Sequence, residues 1–262
     1  MHRWIGLSLC WLACLTLAPA CTTLAPKSDK PKLTAEQLQQ MGENYLAAGD
    51  TGLALQHLTA AAEKKPGDPV IQYDLGMAYW ARGLSGEAIA KFEKALALKP
   101  DYPEASNALG VLYAQNREYD KAQAELQKAL ANPFYQTPYF ALYNLGLIDE
   151  KRGDPRAALE KYERAVRMQQ AYAAPYLRMG VIREQMGDFE GALQNYNKAI
   201  QYNPKMAEAM LRIGLLYYKA KDFVAAEEAL SQVGRISPDS SFALEAQKYL
   251  DTMPAGGRPA AQ

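Results

Sequence analysis

Residues 71–100 read IQYDLGMAYWARGLSGEAIAKFEKALALKP and contain a spacing of small residues that recurs along the whole chain. Gly76 is followed twelve positions later by Ala88 and a further seven positions later by Ala95. The glycine slot recurs every 34 residues, with one interval of 36, at Gly42, Gly76, Gly110, Gly146, Gly180 and Gly214. Small residues at fixed spacing let two helices cross closely, because no bulky side chain keeps the backbones apart. The spacing therefore predicts a series of six helical hairpins.

This pattern resembles the tetratricopeptide repeat (TPR), and it extends from Ala35 to Ser240. We therefore expect an all-α fold, a right-handed superhelix of six TPR hairpins plus a C-terminal capping helix. The recurring Gly-Asp pairs at 49–50, 153–154 and 187–188 predict a left-handed turn followed by a capped second helix. The expected repeats are 35–68, 69–102, 103–138, 139–172, 173–206 and 207–240. The capping helix is expected at 241–253, because a last repeat otherwise exposes an apolar face, and 254–262 has the composition of a disordered tail.

The first 21 residues, MHRWIGLSLCWLACLTLAPAC, have the pattern of a secretory signal. Their apolar run is shorter than the ~20 residues that a membrane span needs. The end of the run resembles a bacterial lipobox, with residues 1–20 as signal peptide and Cys21 as the lipidated residue. Ordinary cleavage after Ala20 is the alternative. Residues 21–34 are polar and interrupted by proline, so we expect a flexible tether. Thr22 after the cysteine implies the outer membrane, with the protein anchored by lipid and facing the periplasm.

Composition argues against several classes of function. The chain has 29 Lys and Arg against 29 Asp and Glu, which disfavours nucleic-acid binding. Its three cysteines all lie within the first 21 residues, and it has only two histidines. The repeats leave no room for a catalytic domain, and neither a phosphate-binding loop nor a nucleophile–histidine pairing is recognisable. We expect no enzymatic activity, no metal, no cofactor and no small-molecule substrate.

The first helices of such a stack line its concave wall, where the sequence places mostly apolar and aromatic residues. The residues expected to form a partner-binding groove there are Tyr73, Met77, Trp80, Val111, Phe140, Tyr143, Leu147, Leu177, Val181, Leu211, Leu215 and Tyr218. A wall of this kind suits an amphipathic helix of a partner protein. The alternative is that several of these side chains pack between neighbouring first helices. For Val111 and Val181 the two interpretations are balanced, whereas the large aromatics favour contact with a partner.

Two local irregularities have alternative explanations. Asp149 and Arg183 stand where other repeats have tyrosine, and we favour an ion pair between the two over a polar recognition spot. The stretch NPFYQTPYF, residues 132–140, contains the two extra residues of the 36-residue interval. Thr137 and Pro138 can cap and begin a helix there. The aromatics Phe134 and Tyr135 either fill the gap between repeats or form a docking loop.

The same stretch, within a six-TPR lipoprotein, resembles the type IV pilus pilotin family (the PilF, PilW and Tgl type). That resemblance implies an outer-membrane lipoprotein that binds secretin subunits and promotes their localisation and multimerisation. A general periplasmic TPR scaffold serving another envelope complex is the alternative. The expected partner is thus a secretin, with the membrane reached through the lipid.

Overall fold

Thirteen α-helices make up residues 33–254, the part of the chain that the computed structural model describes. No strand occurs within that range. In chain order the helices are α1 (Ala35–Ala47), α2 (Thr51–Lys64), α3 (Pro69–Ala81), α4 (Ser85–Leu98), α5 (Pro103–Gln115), α6 (Tyr119–Ala131), α7 (Pro138–Lys151), α8 (Pro155–Met168), α9 (Ala173–Gln185), α10 (Phe189–Tyr202), α11 (Ala207–Lys219), α12 (Phe223–Ile236) and α13 (Ser241–Thr252).

Six helix pairs, from α1–α2 to α11–α12, form hairpins, and each hairpin packs against the next. The predicted all-α class, with six hairpins and a final helix, is confirmed. The predicted signal peptide, Cys21, the predicted tether up to residue 32 and the predicted tail from residue 255 lie outside the described residues.

The recurring glycines lie where the two helices of a hairpin cross. A Cβ atom on Gly146 would lie 2.5 Å from Cε1 of Tyr162, and one on Gly76 would lie 2.6 Å from Cε1 of Phe92. Both rings are completely buried. The glycine thus creates the space into which the large side chain of the second helix packs, and the two slots are complementary.

The turns within the hairpins follow the Gly-Asp prediction. Gly49, Gly153 and Gly187 each have φ +81°, a left-handed conformation that glycine adopts without steric cost. The next residue caps the second helix, as where the Asp154 side chain accepts from the Ala157 N–H at 2.9 Å. Lys221 takes the same turn with φ 62°, so glycine is preferred at this place without being required.

Helix α13 covers the apolar face of the last hairpin. Phe242, Tyr249 and Leu250 pack against a core cluster that includes Leu216 and Leu230. This helix, Ser241–Thr252, stands where the capping helix was expected. The face that a seventh repeat would cover is therefore buried by a single helix.

Candidate protein-binding groove

Residues of α5 and α7 line a cavity beside the first helices, which we call the central pocket. It has a volume of about 550 Å³. Val111 and Leu147, both predicted groove residues, line it together with Asn144 and Lys151. The lining of the pocket is thus mainly apolar and also includes two cations, Arg117 and Lys151.

A second cavity of about 200 Å³, which we call the aromatic pocket, brings residues of three repeats together. Tyr73, Met77 and Trp80 of α3 line it from one side, and Phe140 of α7 lines it from the other. The intervening α5 contributes only the small side chains of Asn107 and Ala108 together with Glu104. Small residues in repeat three thus leave a gap that aromatic rings border. We call this surface, made by the central and aromatic pockets, the groove.

The large aromatics predicted as partner anchors also pack inside the protein. The Tyr73 ring lies 5.6 Å from the Phe92 ring, and Trp80 meets Phe92 edge-on at 6.4 Å. Tyr143 contacts the ring of Tyr162 at 5.6 Å. These aromatics are half-buried, so they line the groove while contributing to the hairpin core. Their truncation would cost stability as well as binding.

At the C-terminal part of the predicted wall the side chains close on one another. Val181 and Leu211 are only 5% and 3% exposed, so their side chains pack in the core and leave little surface for a partner. Leu177 and Leu215 pack around the same cluster. Tyr218 contacts Tyr249 of α13 with 5.0 Å between ring centroids. The first helices α9 and α11 both carry large aliphatic residues in these slots, and these fill the space between the two helices.

The stretch 132–140 divides its two loop aromatics between core and surface. Tyr135 is 6% exposed, packs in a core cluster with Ala141 and Leu145, and also borders the aromatic pocket. Phe134 is 79% exposed. A compact turn causes the division, because the N–H groups of Phe134 and Tyr135 donate to Oδ1 and O of Asn132, at 2.7 and 3.2 Å.

The helix start predicted at Thr137 and Pro138 is present, but without the predicted side-chain cap. Thr137 is the residue before α7 and Pro138 is its first residue, but the Thr137 side chain makes no capping hydrogen bond. Tyr135 fills the gap that the longer loop creates between the third and fourth hairpins. The gap-filling interpretation therefore holds for Tyr135, whereas Phe134 stays available for a contact.

Asp149 and Arg183 do not pair with each other. Asp149 lies 4.0 Å from Lys161, and Arg183 lies 3.9 Å from Glu163. Both partners belong to α8, because this slot of a first helix faces a neighbouring second helix. Burial raises the pKa of Asp149. The predicted ion pair between the two residues is therefore wrong.

Sequence reasoning missed an ion-pair ladder along the first helices. Glu150 accepts from Arg178 Nε at 2.9 Å and also binds Arg178 Nη2. In the next repeat, Glu184 accepts from Lys219 at 2.8 Å and from Arg212 at 3.4 Å. The signal lay in the spacing, since both the glutamates and the arginines recur after 34 residues.

The environment shifts the pKa values of Glu184 and Arg178 toward their charged forms. Burial alone would raise the pKa of Glu184, but hydrogen bonds from Lys219 and Tyr196 outweigh it, and the pKa lies below its usual value. The hydrogen bonds with Glu150 raise the pKa of Arg178. The ladder therefore fixes how successive first helices lie against each other, with each carboxylate matched to a cation.

Residues 33–254 contain neither a cluster of metal ligands nor a helix that could cross a membrane. No three His, Cys, Asp or Glu side chains are grouped as metal ligands there. None of the helices in that range has the length and hydropathy of a membrane span.

Comparison with known proteins places the repeats in a family. Models described as tetratricopeptide repeat match residues 40–103, 73–139, 107–173 and 183–248. No curated protein sequence is significantly similar to the chain.

Several solved structures share the fold. PilF of Pseudomonas aeruginosa is 23% identical with a TM-score of 0.73, over 84% of this chain and 97% of that one. PilW, described as a widely conserved type IV pilus biogenesis factor, is 21% identical with a TM-score of 0.73, over 81% and 98%. YrrB, described as a TPR protein with an unusual peptide-binding site, is 25% identical with a TM-score of 0.53, over 73% and 97%.

Proposed function

The chain belongs to the tetratricopeptide repeat family, and from that premise we propose that it is a protein-binding scaffold for type IV pilus assembly. More specifically, we propose a pilotin-like lipoprotein that is anchored in the outer membrane through Cys21 and faces the periplasm. Its partner is a secretin subunit, whose outer-membrane localisation and multimerisation it promotes. The similarity of residues 132–140 to the pilotin family, together with the fold shared with PilF and PilW, supports the pilus assignment.

The observation that carries the binding role is the groove itself. Apolar side chains such as Val111 and Leu147 line the central pocket, and the aromatic pocket adjoins Phe140, which is 39% exposed. Exposed apolar clefts of this size on a soluble surface are typical of binding sites. An amphipathic helix or extended segment buries its apolar side chains in such a cleft and leaves its polar face in water.

The mechanism requires no chemistry on the partner. A secretin subunit exposes an apolar segment before it assembles, and the groove covers that segment so that it does not aggregate. The lipid at Cys21 brings the complex to the membrane in which the pore forms. Assembly of the multimer then buries the segment and releases the scaffold.

A single substitution in the central pocket tests this proposal. Val111 lines the pocket and is half-buried, so Val111→Glu places a charge where the apolar segment would lie. Val224 is 61% exposed on α12, and Val224→Glu is the matched control with the same chemistry away from the groove. The measurement is the yield of heat-resistant secretin multimer in cells, with co-purification of the secretin and circular dichroism of each variant.

We expect Val111→Glu to fold, to reach the membrane and to lower multimer yield at least several-fold, while Val224→Glu matches the wild type. Burying an unpaired charge of this kind costs at least about 2 kcal/mol of binding free energy, which is roughly thirtyfold in affinity. Full multimer yield in a folded Val111→Glu variant contradicts the groove as the secretin site. Recovery of a different client, and no secretin, indicates the general periplasmic scaffold instead.

A further inference from the structure

Glu43, Asp74 and Glu104, on the first helices α1, α3 and α5, lack the cations that glutamates have on α7 and α9. Asp74 occupies the same repeat slot as Arg178 and Arg212. Those arginines each bind a glutamate of the preceding repeat. Asp74 instead accepts a hydrogen bond from the neutral side chain of Gln39, at 2.7 Å.

Two further carboxylates lie near Asp74. Gln39 also donates to Glu43 at 3.0 Å, which places Glu43 beside Asp74. Glu104 lines the aromatic pocket on the next first helix. Among residues 33–254, no Lys or Arg lies within ion-pair distance of these three carboxylates. These three acids are thus unmatched, although Glu36 at the start of α1 pairs with Lys65, whereas the glutamates of the ladder are matched by cations.

Glu104 lines the aromatic pocket, and Asp74 directly follows Tyr73, another of its lining residues. Asp74 and Glu104 both act on the hydroxyl of Tyr73, a pocket residue, because burial first and then these two carboxylates raise the pKa of Tyr73 to about 12. Negative charge beside aromatic rings is the environment that a lysine or arginine side chain prefers, since the ring face and the carboxylate both attract the cation.

The pKa of Asp74 is raised, as expected for a buried carboxyl group without a nearby cation. Burial is the largest cause that raises the pKa of Asp74 to about 7, and the hydrogen bond from Gln39 offsets only part of it, while Glu43 raises it further. A cation from a bound partner would stabilise the ionised form of Asp74, and it would lie against Asp74 as Arg178 lies against Glu150 in the ladder.

We infer that the groove selects an amphipathic partner segment with lysine or arginine beside its apolar stripe, whose cations lie against Asp74 and Glu104. This inference rests on the proposed function and specifies the chemistry and orientation of the segment. The basic end of the segment lies toward α3, and its apolar face continues across α5 into the central pocket. Charge complementarity of this kind sets the orientation and selectivity of binding more than its total affinity.

Three synthetic peptides of about five helical turns test the inference. They share one stripe of leucine and phenylalanine, and the positions beside the stripe are all lysine, all glutamine or all glutamate. Their affinities are measured by fluorescence anisotropy at about 50 mM salt, where charge selection is strongest. The proteins are the wild type, the double variant Asp74→Asn/Glu104→Gln, and the control Glu87→Gln/Glu160→Gln, which removes two exposed carboxylates from second helices.

We expect the wild type and the control to bind the lysine peptide about tenfold more tightly than the glutamine peptide, and the glutamate peptide least tightly. The double variant should bind the lysine and glutamine peptides equally. It should remain folded, because asparagine at position 74 can still accept the hydrogen bond from Gln39. Thermal unfolding of each variant verifies this.

Equal binding of the three peptides to the wild type, or a lysine preference that survives in the double variant, overturns the inference. The proposed function stands in that case if Val111→Glu still lowers secretin multimer yield. If none of the peptides binds and secretin also co-purifies undiminished with Val111→Glu, the inference and the proposed function fail together.

Discussion

Replacement of Gly146 by alanine tests the packing that generates the whole fold. The added Cβ would lie 2.5 Å from Cε1 of Tyr162 and 2.9 Å from both Cδ1 and Cζ. Ordinary contacts between such atoms are about 3.5 Å or longer. The Tyr162 ring is fully buried, and its hydroxyl donates to Glu150, so it cannot move aside without losing that bond.

The expected magnitude follows from two opposing effects. Alanine gains up to about 1 kcal/mol over glycine in a helix interior. Overpacking of a filled core costs about 1–3 kcal/mol, and a disturbed buried hydrogen bond adds about 1 kcal/mol. We therefore expect Gly146→Ala to be destabilised by about 1–3 kcal/mol, and Gly146→Leu by more.

The control is the same glycine-to-alanine substitution at a helix position where the added Cβ meets no neighbouring atom. Gly86 lies in α4, and a Cβ there meets nothing within 4 Å. Gly86→Ala should stabilise by about 0.5–1 kcal/mol, because only the conformational term remains. The assay is urea unfolding followed by circular dichroism, with midpoints compared at constant slope. If Gly146→Ala is as stable as Gly86→Ala, the crossing does not depend on the missing side chain, and the packing argument is refuted.

Three further predictions concern charge and the membrane anchor. The pKa of Asp74 rises from 3.8 to about 7 on folding, so the folded state binds the extra proton and wild-type stability should fall as pH rises from about 4 to about 7. Asp74→Asn should abolish this fall and stabilise the protein at pH 8 by about 1–2 kcal/mol, and unchanged pH dependence of the urea midpoint would count against it. Glu150→Ala should cost about 1–3 kcal/mol because Arg178 loses its acceptor, whereas Glu160→Ala on the exposed face of α8 should shift the midpoint little. Cys21→Ala should leave the repeats folded but release the protein from the membrane fraction, with mass spectrometry of the wild-type N-terminus showing acyl chains, and an unmodified Cys21 would refute lipidation.

The hairpins could be predicted because each repeat carries its own packing rule. Gly146 and Tyr162 meet at a crossing that recurs in equivalent form at Gly180 and Tyr196. Because this packing pattern recurs six times, it can be recognised from the sequence without knowing how far apart the repeats lie. The turns were predictable for the same reason, since φ of Gly153 requires no knowledge of its neighbours in space.

The groove was only partly predictable, because the space between first helices depends on residues from two repeats at once. Val111 and Val181 share one slot, yet Val111 borders a cavity while Val181 is buried. Ala114 and Gln115 border the cavity together with Val111, whereas Leu177 and Leu211 fill the space near Val181. The sequence of a single repeat therefore cannot show whether the residue in this slot is buried or borders a cavity.

The polar contacts were missed for a different reason. Asp149 and Arg183 stand where other repeats have tyrosine, and their opposite charges suggested an ion pair between them. Their slot faces second helices, where each has another partner. The pair that spans the repeats, Glu150 with Arg178, has a separation of 28 residues that matches no single hairpin. Only the recurrence of both residues after 34 positions makes it visible in the sequence.

The central claim, that the groove holds a segment of the secretin, is tested most directly by photo-crosslinking in living cells. A photoreactive amino acid replaces Val111 in the central pocket or, as the control, Val224 on the exposed surface of α12. Illumination before multimer assembly is complete should give an adduct of this protein with the secretin subunit from position 111 and none from position 224. Adducts from position 224 alone, or no secretin adduct from position 111 while the multimer still forms, would contradict the account.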